Sequence, residues 1–195
     1  MPVKPKLNWT SHNLRWSNCK NCELCNSRSK VVLAKGTIPC KVVFIGEAPG
    51  PSEDTLGSPF MGAAGKLLDQ LIENAEYLSF TTDKAFTNLI SCMPRSLQPG
   101  VFVNPEEVYL KACRPRLQEF IELAKPKGIV MCGKLVQKWA PVLIDWEFEY
   151  SLDIMHPAQL LRLDASQQPL ALQRCIVNLK DMFTLIGISD NKENK

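Results

Sequence analysis

No stretch of this chain is apolar enough to cross a bilayer, and its start, MPVKPKLNWTSHN, has none of the apolar run of a secretory signal. A cytoplasmic, nucleoid-associated location is the expectation, with no membrane partner. Strong charge of one sign is also missing: 23 basic and 20 acidic residues leave a net charge of +3. That balance permits nucleic-acid binding without requiring it. No internal repeat is visible, so the chain is expected to be one domain, residues 1–195, with a basic arm (1–18) and a polar tail (188–195) as candidate mobile ends.

Cysteine is plentiful by contrast. Eight are present, and Cys19, Cys22 and Cys25 fall within seven residues. In a reducing compartment such crowding reads as metal binding before crosslinking. Cys40, Cys132 and Cys175 sit in apolar contexts and read as small core residues.

Strand and helix patterns alternate. KVVFIGE (Lys41–Glu47), AFTNLI (Ala85–Ile90), GIVMC (Gly128–Cys132) and Phe148–Met155 predict strands. Leu67, Leu68, Leu71 and Ile72 share one helical face in Gly65–Ala75. Asn104-Pro105-Glu106-Glu107 predicts a helix start with proline in the first turn, running to about Ala124. Further helices are expected over KLVQKWA and about Pro169–Leu185. This alternation predicts an α/β fold, a three-layer α/β/α sandwich around a four-stranded parallel sheet. Sites on such sheets lie at the carboxyl ends of strands, where GEAPG, Asn88 and His156 fall.

With those segments placed, the chain resembles the family-4 (iron–sulfur) uracil-DNA glycosylases. The likeness rests on Cys19-x-x-Cys22-x-Leu24, GEAPGPSED (Gly46–Asp54), GSPFMGAAG (Gly57–Gly65), TNLISC (Thr87–Cys92), Cys113 and HPAQLLR (His156–Arg162), in that order. It implies a hydrolase of N-glycosidic bonds, a DNA repair enzyme that flips uracil out of DNA and leaves an abasic site. It also implies that Cys19, Cys22, Cys92 and Cys113 ligate a 4Fe–4S cluster. On spacing alone zinc fits equally, since four thiolates also hold it tetrahedrally. Cys25 reads as a bystander.

In the pocket that the resemblance implies, Gly46 and Ala48 bring backbone close to the base, Phe60 stacks on it, and the Asn88 amide reads its edge. Each has a plainer reading alone: a loop glycine, a core aromatic, a cap. His156 is expected to donate to the oxygen that gains charge on the departing uracil. The better-known uracil glycosylase branch has an aspartate two residues after the motif's first glycine, and here Ala48 stands there. Glu47 is therefore the expected water-orienting carboxylate, with Glu53 as a pocket wall near the base or a group behind that wall; a structural cap is the plainer reading of either. Leu160, Leu161 and Arg162 are expected to push into the DNA helix. Lys4, Lys6, Arg15, Lys20, Arg28, Lys30 and Arg95 are candidate phosphate contacts, and His12 is expected to be solvated.

Several positions depart from the family's usual pattern. Ala63 stands where arginine is common, Ala158 where serine follows His-Pro, and Met93-Pro94-Arg95 where Arg-Pro-Pro is usual. The segment from Trp139 to His156 is also short. These departures predict weaker uracil excision or a modified pyrimidine as target, and a noncatalytic iron–sulfur DNA-binding module is the alternative of another class. The pocket motifs contain no lysine nucleophile, so a monofunctional glycosylase acting as a monomer is expected.

Overall fold

The structure, a computed structural model, describes residues 7–77, 82–94 and 103–193. The elements in chain order are α1 (Trp9–Trp16), β1 (Ala34–Gly36), β2 (Val42–Gly46), α2 (Pro51–Leu56), α3 (Ala63–Tyr77), β3 (Lys84–Asn88), α4 (Glu107–Ala124), β4 (Gly128–Cys132), α5 (Lys134–Leu143), β5 (Tyr150–Ile154), α6 (Pro157–Leu160) and α7 (Gln168–Glu193). A 3-10 turn, Glu23–Asn26, follows Cys22.

The described residues form a five-stranded sheet in the order β1-β3-β2-β4-β5. Strands β2 to β5 are parallel, as expected, whereas β1 runs antiparallel to β3, pairing Ala34 with Thr87. The α/β class therefore stands and the strand count rises by one. Three residues are too few to carry a readable alternation, which is why β1 escaped sequence analysis.

Side-chain parity divides the core into two layers. Val43 and Ile45 of β2 face Leu117, Phe120 and Ile121 of α4 and Val136 and Leu143 of α5. Val42 and Phe44 face Leu68 and Ile72 of α3 and Leu179 and Phe183 of α7. Each fully buried side chain of this size contributes about 1.5–3 kcal/mol. Helix α5 continues past the expected segment through Pro141, and α7 extends beyond Leu185.

The segment expected as a mobile arm is helical from Trp9. Asn8 caps α1 by accepting from the Ser11 amide at 2.9 Å, while Ser11 Oγ accepts from the Asn8 amide at 3.0 Å. His12 is not solvated: it is fully buried, stacked on Trp9, and its Nδ1 lies 2.9 Å from Glu119 of α4. Glu119 also accepts from Arg15 at 2.5 Å and from Trp16 Nε1 at 3.1 Å. One buried carboxylate on α4 thus holds the helix that leads into Cys19. Glu119→Ala is expected to strip two buried donors of their acceptor and cost about 2–4 kcal/mol. A thermal melt with proteolysis of the α1 segment checks this.

Candidate active site and cysteine cavity

The chain runs from β2 to β3 on one side and returns to β4 on the other, so their carboxyl ends open a crevice at a topological switch point. A cleft of about 810 Å³ occupies it, lined by Glu47, Ala48, Phe60, Asn88 and His156 among others. With Glu53, six of the expected pocket residues, drawn from separate segments of the chain, therefore share one cavity. Gly46 packs directly against two of the lining side chains: a Cβ there would lie 2.3 Å from Asn88 Oδ1 and 2.7 Å from Phe60 Cζ.

His156 caps α6, and its Nδ1 accepts from the Ala158 amide at 3.2 Å. An accepting Nδ1 leaves the proton of the neutral imidazole on Nε2. Burial, with the positive Arg162 adding to it, holds His156 below its ordinary value of 6.5, which favours that neutral form. Gly133, at φ 100°, packs against the ring so closely that a Cβ would meet His156 Cβ at 2.9 Å.

Among the described residues the Glu47 carboxylate has no hydrogen-bond partner, and desolvation raises it above 4.5. A folded-state pKa above the unfolded value means that the native state loses stability as pH rises through it. Glu47→Gln is accordingly expected to raise Tm at neutral pH, by roughly 2–4 °C for each kcal/mol relieved. Thermal melts at pH 4 and pH 7.5 test this, with the gain confined to the higher pH.

Glu53 takes the second of its expected roles, behind the pocket wall. It lines the cleft, but Oε1 accepts from the amides of Met61 and Gly62 at 2.7 and 2.8 Å and Oε2 from Gly50 at 3.0 Å. Its oxygens thus face the loop rather than a base. They hold the segment that sets Phe60, whose backbone lies in the left-handed region at φ 54°.

Leu160 requires a correction. It is fully buried among Val42, Phe44 and Phe183, because the short helix α6 turns that side chain inward. Leu161 is 44% exposed and lines the cleft with exposed Arg162, so these two remain at the rim. Ala63 and Ala158 line the same cleft. Lys4, Lys6 and Arg95 lie outside the described residues. Arg28 is turned inward, donating to the Cys19 carbonyl at 2.6 Å and toward Cys92 Sγ at 3.4 Å.

Cys19, Cys22, Cys92 and Cys113 line one small cavity with Arg28 and Arg116, and Cys25 is not part of its wall. Burial pushes the Cys92 thiol up to about 11, with Arg28 opposing, and raises Cys22 as well. Among the described residues no three His, Cys, Asp or Glu are grouped as a single metal ion requires. Asp54 ties the two sites together, accepting from the Ser29 amide at 2.9 and 3.0 Å and so fastening α2 to the cysteine loop. Asp54, Glu119 and Arg116 were missed in the sequence. A signal existed for Arg116, which sits three residues after Cys113 and in line with the buried Leu110 and Leu117 on α4.

The family profile described as the Uracil DNA glycosylase superfamily matches residues 34–180. The chain belongs to this superfamily. Curated relatives include the type-4 uracil-DNA glycosylase of Sulfurisphaera tokodaii, 40% identical over 123 residues that make up 63% of this chain and 53% of that protein. The type-4 uracil-DNA glycosylase of Saccharolobus solfataricus is 39% identical, over 60% of this chain and 51% of its own length. That of Archaeoglobus fulgidus is 34% identical over 67% and 62%. The chain thus spans about half the length of the first two relatives. The three-layer fold is the one this superfamily member was expected to have, and no helix among its described residues is long and apolar enough to cross a membrane.

Proposed function

We propose that the chain is a monofunctional uracil-DNA glycosylase that hydrolyses the N-glycosidic bond of a flipped uridine and leaves an abasic site in base excision repair. The observation that carries this reading is the convergence of Phe60, Asn88, His156 and Glu47 on one cleft at the strand ends. Phe60 offers a face for stacking. The Asn88 side-chain amide, without a protein partner among the described residues, offers one donor and one acceptor to the base edge. As the C1′–N1 bond breaks, the electron pair leaves with the uracil, and the Nε2–H of neutral His156 donates to the oxygen that takes the charge. Glu47 orients the water that attacks C1′ and accepts its proton. Leu161 occupies the gap in the duplex, and Arg162 meets the backbone.

The four cysteines are read as the ligands of a 4Fe–4S cluster, which would supply a structural clamp beside the DNA-binding face. The donor set fits four thiolate ligands on a single cavity wall. The protein is read as a cytoplasmic, nucleoid-associated monomer.

The test is release of free base and alkali-labile sites from a uracil oligonucleotide, beside a panel of modified pyrimidines. Release from uracil supports the proposal. Ala63 and Ala158 on the cleft wall make a modified pyrimidine the second reading, and release confined to the panel would select it. Bound DNA with no release from any substrate would sink both.

A further inference from the structure

Arg116 of α4 is 2% exposed, yet it is a cation with no carboxylate within 4 Å among the described residues. One guanidinium nitrogen donates to Thr87 Oγ1 at 2.9 Å, and another to the carbonyls of Asn88 and Leu89 at 2.8 and 2.9 Å. These acceptors are neutral. The Nε is buried without a partner among the described residues. Burying such a charge is costly unless an anion compensates it. The same side chain forms part of the wall of the four-cysteine cavity. Four coordinated thiolates carry more negative charge than the metal centre they hold cancels, so the missing anion lies on that wall.

We propose that Arg116 is the internal counter-ion of the four-cysteine centre and the positioning residue through which that centre fixes Asn88 in the base pocket. The inference rests on reading the cysteines as a metal centre. The geometry gives it direction. One guanidinium edge grips the end of β3, where Asn88 turns its amide into the cleft, while the remaining Nε–H is left for the cavity side. Arg28 reaches the same centre through Cys92 Sγ, and its other nitrogen donates to the Cys19 carbonyl and not to β3. A planar fork spans a hydroxyl and two carbonyls at once, which a lysine ammonium at the same place does not.

The experiment compares the full-length wild type with Arg116→Met and Arg116→Lys. It reads metal and acid-labile sulfide per chain before and after EDTA challenge, then kcat and KM for base release per metal-loaded chain. Far-UV circular dichroism reports folding. Arg116→Met is expected to shed metal roughly 10- to 100-fold faster and to lose kcat on a similar scale. Arg116→Lys is expected to keep the charge and the metal but not the grip, so kcat falls while KM and metal retention stay near wild type. Should the methionine variant not fold, the lysine variant decides. Wild-type kcat per loaded chain in Arg116→Lys, or wild-type retention in a folded Arg116→Met, would overturn the proposal. A wild type carrying zinc overturns the iron assignment alone, and zinc retention then tests Arg116. A wild type that takes up no metal overturns the metal-centre reading together with the inference.

Discussion

His156→Ala is expected to lower kcat for uracil release by about 10²–10³-fold, the usual cost of one preorganised donor, with KM nearly unchanged. Ground-state uracil is neutral, so a donor aimed at its oxygen gains most as charge develops, and the loss appears in kcat. Single-turnover base release at saturating enzyme measures it. The pH profile provides the companion test. Neutral His156 has Nδ1 accepting from Ala158 and Nε2–H free to donate, whereas the imidazolium places a second N–H against that amide. His156 sits below its ordinary 6.5 and Glu47 above its ordinary 4.5, so neutral histidine and ionised glutamate coexist at neutral pH. kcat/KM is therefore expected to be flat down to pH 6.5 and to fall below it. In Glu47→Gln the contribution of the carboxylate to that acid limb disappears. A profile already falling between pH 8 and 7 would contradict the neutral-donor assignment.

Gly46→Ala is expected to damage base release severely for a single methyl. The added Cβ would sit 2.3 Å from Asn88 Oδ1 and 2.7 Å from Phe60 Cζ, so the base-reading amide and the stacking ring must both move. Neither has slack. Arg116 holds the Asn88 carbonyl at 2.8 Å, and Glu53 holds the loop after Phe60 through the Met61 amide at 2.7 Å. A displacement of about 1 Å at a reacting site costs roughly 10²-fold, and two displaced groups make that a lower bound on the expected loss in kcat/KM. Some stability is expected to go with it, because Gly46 shares the side-chain parity of Val42 and Phe44 and the methyl would press on Phe60, which belongs to the same core layer. A larger loss in base release per folded chain than in Tm is the expected result, and a fallen Tm with base release per folded chain unchanged would confine Gly46 to the packing of the sheet.

Other positions show where sequence reading reaches its limit. His12 lies in a polar, basic stretch and was expected to be solvated. Its burial depends on Glu119, 107 positions away, an acid on a helix whose apolar face does not include it in any simple pattern. Leu160 and Leu161 are adjacent leucines in one motif, and only the turn of α6 sends the first into the core and the second to the rim. Glu47 and Glu53 are two acids in one loop. Hydrogen-bond accounting separates them, since three backbone amides saturate Glu53 and none reaches Glu47.

Local chemistry was legible in the chain because it is local. The β-branched runs predicted the parallel strands, the glycine–proline turn marked the strand end where the cleft lies, and the family resemblance carried by the motif order pointed to the four cysteines and the pocket residues. Only the tertiary structure decided charge and direction: which carboxylate is left desolvated, which nitrogen of His156 carries the proton, and why a buried arginine stands between the cysteine cavity and Asn88. Those depend on distances between segments that meet only after the sheet has formed, and solvent exclusion there sets the ionisation and hydrogen bonding of each group.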